Sequence, residues 1–115
     1  MTDKSDILII FNGDGMGRAD AALTRKLAGS FLNVIDLDDR LPRAICLYGE
    51  GVKLAVAGSP VLEELGSLAA KGVELVVCTT CLNHYGLFDD LAVGTAGDMK
   101  GIVALQWDAA QVITL

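Results

Sequence analysis

Five short apolar runs, each of strand length and each separated from the next by a helical or loop stretch, limit what this chain can fold into. They are DILIIF (Asp6–Phe11), RAICLY (Arg43–Tyr48), VELVVC (Val73–Cys78), LAVGT (Leu91–Thr95) and AQVITL (Ala110–Leu115). Unbroken runs of Val, Ile and Leu suit strands buried on both faces, the condition of a parallel sheet. Pro42 keeps a preceding helix from continuing into the second run. The intervening segments carry helical signals. From Ala19 to Ile35 the apolar residues Ala22, Leu23, Leu27, Phe31, Leu32 and Ile35 recur at three and four, with Arg25 and Lys26 off the stripe.

Gly58–Gly72 reads as a second helix. Ser59 is the expected N-cap and Pro60 the first helical residue, Glu63 and Glu64 lie in the first turn, Lys71 in the last, and Gly72 follows the end. A shorter helix is expected over Gly51–Val56, and two more starting near Thr80 and Asp98. Strand–helix alternation of this kind predicts an α/β domain, a five-stranded, mainly parallel sheet with helices on both faces. DLDDR (Asp36–Arg40) reads as a solvated loop, and the chain shows no internal repeat or low-complexity tract.

With 115 residues, the chain has room for one hydrophobic core, so residues 1–115 are expected to form a single domain. Fifteen acidic against nine basic residues give a net charge of −6, which argues against nucleic acid as a partner. No apolar run reaches the length of about 18–20 residues that a membrane span requires. The polar N-terminus MTDKSD does not read as a secretory signal, so the cytoplasm is the expected compartment and the three cysteines are expected as thiols. The mean hydropathy is positive in so short a chain, which points to apolar surface covered by further copies and hence to a homo-oligomer.

In an open parallel sheet, ligands gather at the carboxyl ends of the strands. Those ends are followed here by NGDGMG (Asn12–Gly17), GEGVK (Gly49–Lys53), TTCLNHYG (Thr79–Gly86) and AGDM (Ala96–Met99). Glycines, polar groups and a cysteine pair therefore collect along one edge. Cys78 ends a strand and Cys81 falls in the first turn of the next segment, where unpaired backbone N–H groups stabilise a thiolate. The pair is open to four readings at this point: redox couple, metal clip, sulfur carrier, or core filling.

Zinc would find Cys78, Cys81 and His84, but a closed site needs a fourth ligand, and the only other cysteine, Cys46, lies mid-strand as an expected core residue. No metal or cofactor is expected. His84 is a candidate proton acceptor beside Cys78. Asn12, Gly13, Asp14 and Gly15 form a tight strand-to-helix turn whose amides can face an anion, with Gly49, Lys53, Thr79 and Thr80 at the same edge. The turn matches neither the dinucleotide fingerprint nor the P-loop pattern. Asp14 and Glu50 do not form a defined acid–base pair.

The stretches FNGDGMGRADAALTRKLAGSFL, LPRAICLYGEGVKLAVAGSPVLEELGSLAAKGVELVVCTTCLNHYGL and AVGTAGDM closely resemble the DsrE/DsrF-like family. The most similar branch is the C-terminal domain of the YedF proteins, associated with sulfur or selenium metabolism. The resemblance runs from about Ile7 to Ile113. Its most specific marks are GVKL (Gly51–Leu54), GSPVLEEL (Gly58–Leu65) and the C-x-T-C-L of Cys78–Leu82. It implies a three-layer α/β/α domain assembled as a trimer or hexamer. It also implies a sulfur carrier of sulfurtransferase type in which Cys78 accepts persulfide sulfur and Cys81 assists.

A non-catalytic ligand-binding or assembly protein and a CxxC thiol–disulfide module are the alternatives. Thr79 stands where the YedF-like pattern has glycine. The sequence shows no SirA/TusA-like domain of the kind YedF proteins carry, so the resemblance implies that such a domain is met as a separate partner protein.

Overall fold

The structure is a computed structural model that describes residues 4–115; the first three residues of the polar MTDKSD stretch lie outside the described residues. Its elements are β1 (Ile7–Phe11), α1 (Ala21–Leu37), β2 (Ala44–Leu47), α2 (Leu62–Ala70), β3 (Glu74–Cys78), α3 (Thr79–His84), β4 (Thr95–Gly97), α4 (Met99–Asp108) and β5 (Gln111–Thr114). A 3₁₀ segment, Gly49–Ala55, follows β2, and a single 3₁₀ turn, Phe88–Asp90, precedes β4. The strands form one five-stranded sheet in the order β4-β3-β2-β1-β5, with every pairing parallel. This is the α/β architecture expected from the strand–helix alternation.

Register assigns the faces. Ile10 pairs with Cys46 and Cys46 with Val76, so these three point to one side, while Ile9 and its partner Ile45 point to the other. Ile7, Ile9 and Ile113 line a groove with Phe31 and Ile35 of α1. Val76 lines a cleft with Gly101, Ala104 and Leu105 of α4. Helix α2 lies beside α1: Ser67 Oγ donates to Asp36 (2.8 Å), and Lys71 bridges Asp36 and Asp39 at 2.9 Å each. Three layers result, with α1 and α2 on one face and α4 on the other.

The helix ends follow local chemistry with two departures from expectation. Asp20 caps α1 by accepting from Leu23 N–H (3.1 Å), and Asp98 caps α4 by accepting from Gly101 N–H (2.9 Å). Gly72, with φ +99°, ends the α2 region as expected. Helix α2 itself starts at Leu62. Ser59 Oγ accepts from Val61 N–H (3.2 Å), so it caps a turn ahead of the helix, where Gly58 has φ +89°.

The buried face of α1 also differs from the expected stripe. Thr24, Ala28, Leu32 and Ile35 are buried, whereas Leu23 and Leu27 are 44% and 41% exposed.

The fourth strand lies further along than the apolar run suggested. Leu91 makes an isolated antiparallel bridge with Val56, and the N–H groups of Ala92 and Val93 donate to Ala55 C=O at 2.9 and 3.2 Å. Gly94, with φ +81°, then turns the chain where a Cβ would lie 2.9 Å from Leu75 Cβ, and β4 begins at Thr95. The apolar residues of LAVGT serve the 3₁₀ segment, and TAG joins the sheet.

A thiol pair beside the Gly49 amide

The carboxyl ends of β1, β2 and β3 carry the candidate site. The 3₁₀ segment after β2 packs tightly on the end of β1: a Cβ on Gly51 would lie 2.1 Å from Phe11 C=O, and one on Gly49, at φ +58°, would lie 3.1 Å from Asn12 C=O. Only glycine fits at Gly51 without displacing backbone. This fit fixes the amide of Gly49, which donates to Cys81 Sγ at 3.1 Å. One turn along each segment, Lys53 Nζ lies 4.7 Å from the Tyr85 ring centroid, within cation–π range. Lys53 also pairs with Glu50 (3.3 Å).

Cys78 closes β3 and is the N-cap residue of α3, and Cys81 follows in that helix. The two cysteines lie three residues apart at the start of α3, and their exposure differs. Cys78 is only 2% exposed, and Cys81 is partly exposed. Burial pushes the Cys81 thiol above its ordinary value, contact with Cys78 pushes it further, and the Gly49 amide works in the opposite direction. Cys46 is fully buried and faces the same side of the sheet as Cys78. Burial, followed by the charges of Cys78 and Cys81, pushes its thiol up to about 11. It is the core residue expected from its mid-strand position.

Thr79 and Thr80 form the first turn of α3, the first half-buried and the second exposed. His84 is the last residue of α3, about 9 Å along the helix axis from Cys78. It packs edge-on against Tyr85 with ring centroids 5.0 Å apart. The structure thus brings Gly49 and Cys81 together with Cys78, and it places His84 at the other end of the helix.

The loop after β1 is a second cluster. Gly15 has φ +143°, and a Cβ there would lie 2.4 Å from the Thr24 backbone. Met16 N–H donates to Thr24 C=O (2.9 Å), and Thr24 Oγ1 donates to Asp14 C=O (3.3 Å). The Asp14 carboxylate accepts from Arg25 and raises that guanidinium further above its ordinary value. Asn12, Gly13, Asp14, Arg18, Thr24 and Glu50 line a concavity of about 350 Å³. Asp14 is committed to Arg25 and Glu50 to Lys53, so the two carboxylates hold the loops and do not form an acid–base pair.

A model of the DsrE/DsrF-like family matches residues 5–115. The chain belongs to the DsrE/DsrF-like family. Two solved structures share the fold. The YchN protein of E. coli superposes with a TM-score of 0.72 at 21% identity, covering 98% of this chain and all of that one. The protein of unknown function MTH1491 from Methanobacterium thermoautotrophicum gives 0.68 at 21% identity with the same coverage. No curated protein matches the chain.

Within this family fold, Tyr85 and its contact with Lys53 were not anticipated from the sequence. The available signal is its position four residues after Cys81, on the same face of α3. Among the described residues, no three His, Cys, Asp or Glu side chains converge as a metal-ligand set. No helix among the described residues is long and apolar enough to cross a membrane.

Proposed function

We propose that the chain is a sulfur (or selenium) carrier of sulfurtransferase type. The Cys78–Cys81 pair takes a sulfane sulfur from a donor persulfide or polysulfide and hands it to a partner protein, of which a SirA/TusA-like protein is the expected kind. The observation that carries this reading is a backbone amide held by tight packing and aimed at a thiol sulfur, Gly49 N–H to Cys81 Sγ at 3.1 Å, with a second thiol adjacent. A persulfide is an anionic sulfur species, and a fixed N–H donor stabilises it without reorganisation. Family membership supports a role related to sulfur relay. In this reading the glycine loop Asn12–Gly15 and the side chains of Lys53, Thr79 and Thr80 are the groups that meet an anionic donor. Such a thiol pair belongs in a reducing compartment, the cytoplasm.

Self-association is part of the proposal, with the trimer or hexamer of the family resemblance as the expected form. Among the described residues, ten large apolar ones are exposed, and eight of them lie on three elements: Leu23, Leu27, Val34 and Leu37 on α1, Met99, Val103 and Trp107 on α4, and Val112 on β5. Met99, Val103 and Trp107 recur every four residues along α4, and an exposed apolar stripe of this kind is normally covered by a partner.

The test is sulfane-sulfur uptake from inorganic polysulfide, measured by cyanolysis after desalting. The wild type retains cyanolysable sulfur, and the double variant Cys78→Ala/Cys81→Ser retains none above a thiol-blocked control. Equal uptake by the double variant would remove the reading.

A further inference from the structure

We infer that Cys81, not the deeply buried Cys78, is the thiol that accepts the incoming sulfur. The inference rests on the sulfur-carrier reading and assigns the order of events within the pair. Attack on a donor persulfide is an in-line displacement, so the donor's outer sulfur has to reach the attacking Sγ. Cys78 Sγ belongs to a residue that is 2% exposed and part of the hydrophobic core, whereas Cys81 is partly exposed. Access of the attacking thiol is one of the terms that sets the rate of such exchange.

The chemistry at Cys81 agrees with its exposure. Its sulfur already accepts the Gly49 amide, a donor that does not move because Gly49 and Gly51 are wedged against Asn12 and Phe11. The Cys81 thiolate attacks the outer sulfur of R–S–SH. The donor S–S bond breaks, R–S⁻ leaves with the bonding electron pair, and Cys81–S–SH forms, so no outside oxidant or reductant is required. The proton lost by Cys81 goes to water or buffer. Onward transfer repeats the step, with an acceptor thiolate attacking the outer sulfur and the Cys81 thiolate leaving.

Neither of the other thiols offers an alternative point of arrival. Cys46 is fully buried and is in register with Val76, which puts its Cα about 8 Å from that of Cys78 by strand geometry, beyond the reach of a disulfide. Cys78 then serves as apolar packing behind Cys81, part of the hydrophobic core on which Cys81 rests.

The experiment treats wild type, Cys81→Ser, Cys78→Ala and the double variant with inorganic polysulfide under argon. Persulfides are then trapped with iodoacetamide, and intact and fragment masses are read. Alanine at position 78 keeps the buried site apolar, and circular dichroism confirms that each variant is folded. Wild type and Cys78→Ala are expected to gain one trapped sulfur at position 81, and Cys81→Ser to fall to the level of the double variant. Loss of uptake in Cys78→Ala with retention at Cys78 in Cys81→Ser would overturn the inference and leave the carrier reading standing. Equal uptake by the double variant, or none by the wild type, would remove both.

Discussion

The amide of Gly49 and the thiol of Cys81, 32 residues apart in sequence, meet at 3.1 Å, and four residues along both segments Lys53 meets the ring of Tyr85. The 3₁₀ segment and α3 are therefore joined at two successive turns. The first join ends on the partly exposed sulfur of the cysteine pair. Because the amide is held by glycines that contact the backbone of β1, the sulfur's environment is set by packing and not by flexible side chains.

Substitution of Gly49 tests that link. At φ +58°, with Asn12 C=O 3.1 Å from the new Cβ, Gly49→Ala strains the backbone and shifts the amide. The expected loss of stability is about 1–2 kcal/mol. The Gly49 amide lowers the Cys81 pKa, so weakening it moves the titration further up. Iodoacetamide alkylation of Cys81, followed from pH 7 to 10, should show a midpoint above the free-thiol value of about 8.5 in the wild type and a higher one in the variant. An unchanged midpoint would mean that the amide does not govern the sulfur.

Cys46 makes stability depend on alkaline pH. Its thiol titrates near 11 in the folded chain against a reference of 9.0, so the contribution is fully present below about pH 9 and is lost as pH rises through 11. The loss amounts to roughly 2–3 kcal/mol from this group. Urea midpoints taken between pH 8 and 11 should fall more steeply for wild type than for Cys46→Ala. The comparison is between slopes, because the alanine variant also loses packing.

Trp107 tests the exposed apolar surface. It is 80% exposed on α4, one turn from Val103 and two from Met99. If the chain self-associates as proposed, Trp107→Glu is expected to sediment as smaller species than wild type in sedimentation velocity while far-UV circular dichroism stays the same. An unchanged sedimentation coefficient would place the interface elsewhere.

Much of the fold is visible in the sequence because buried parallel strands leave a local signature. β1, β2 and β3 lie within their apolar runs, and Asp98 and Gly72 act at helix ends as their residue types demand. What the sequence hides is non-local. Leu91, Ala92 and Val93 look like a strand, but their partners are Ala55 and Val56, 35 or more residues earlier. Leu23 and Leu27 share the periodicity of the core face of α1, yet they lie just off it, since Thr24 and Ala28 take the buried positions.

The cysteine pair was legible as a motif, with Gly49 named only as part of the same edge. That the amide would reach Cys81, and that Cys78 would be the more buried thiol, depends on how the 3₁₀ segment seats against β1. No spacing rule encodes that contact.

The central claim is that the Cys78–Cys81 pair carries sulfur, and locating the sulfur tests it most directly. Wild-type protein is loaded with polysulfide, trapped with an alkylating agent, digested, and mapped by fragment mass, with and without prior reduction by dithiothreitol. The account predicts one added sulfur on the peptide that contains Cys78 and Cys81, none on Cys46, and complete loss after reduction. No added sulfur, or sulfur spread evenly over all three cysteines, would contradict it.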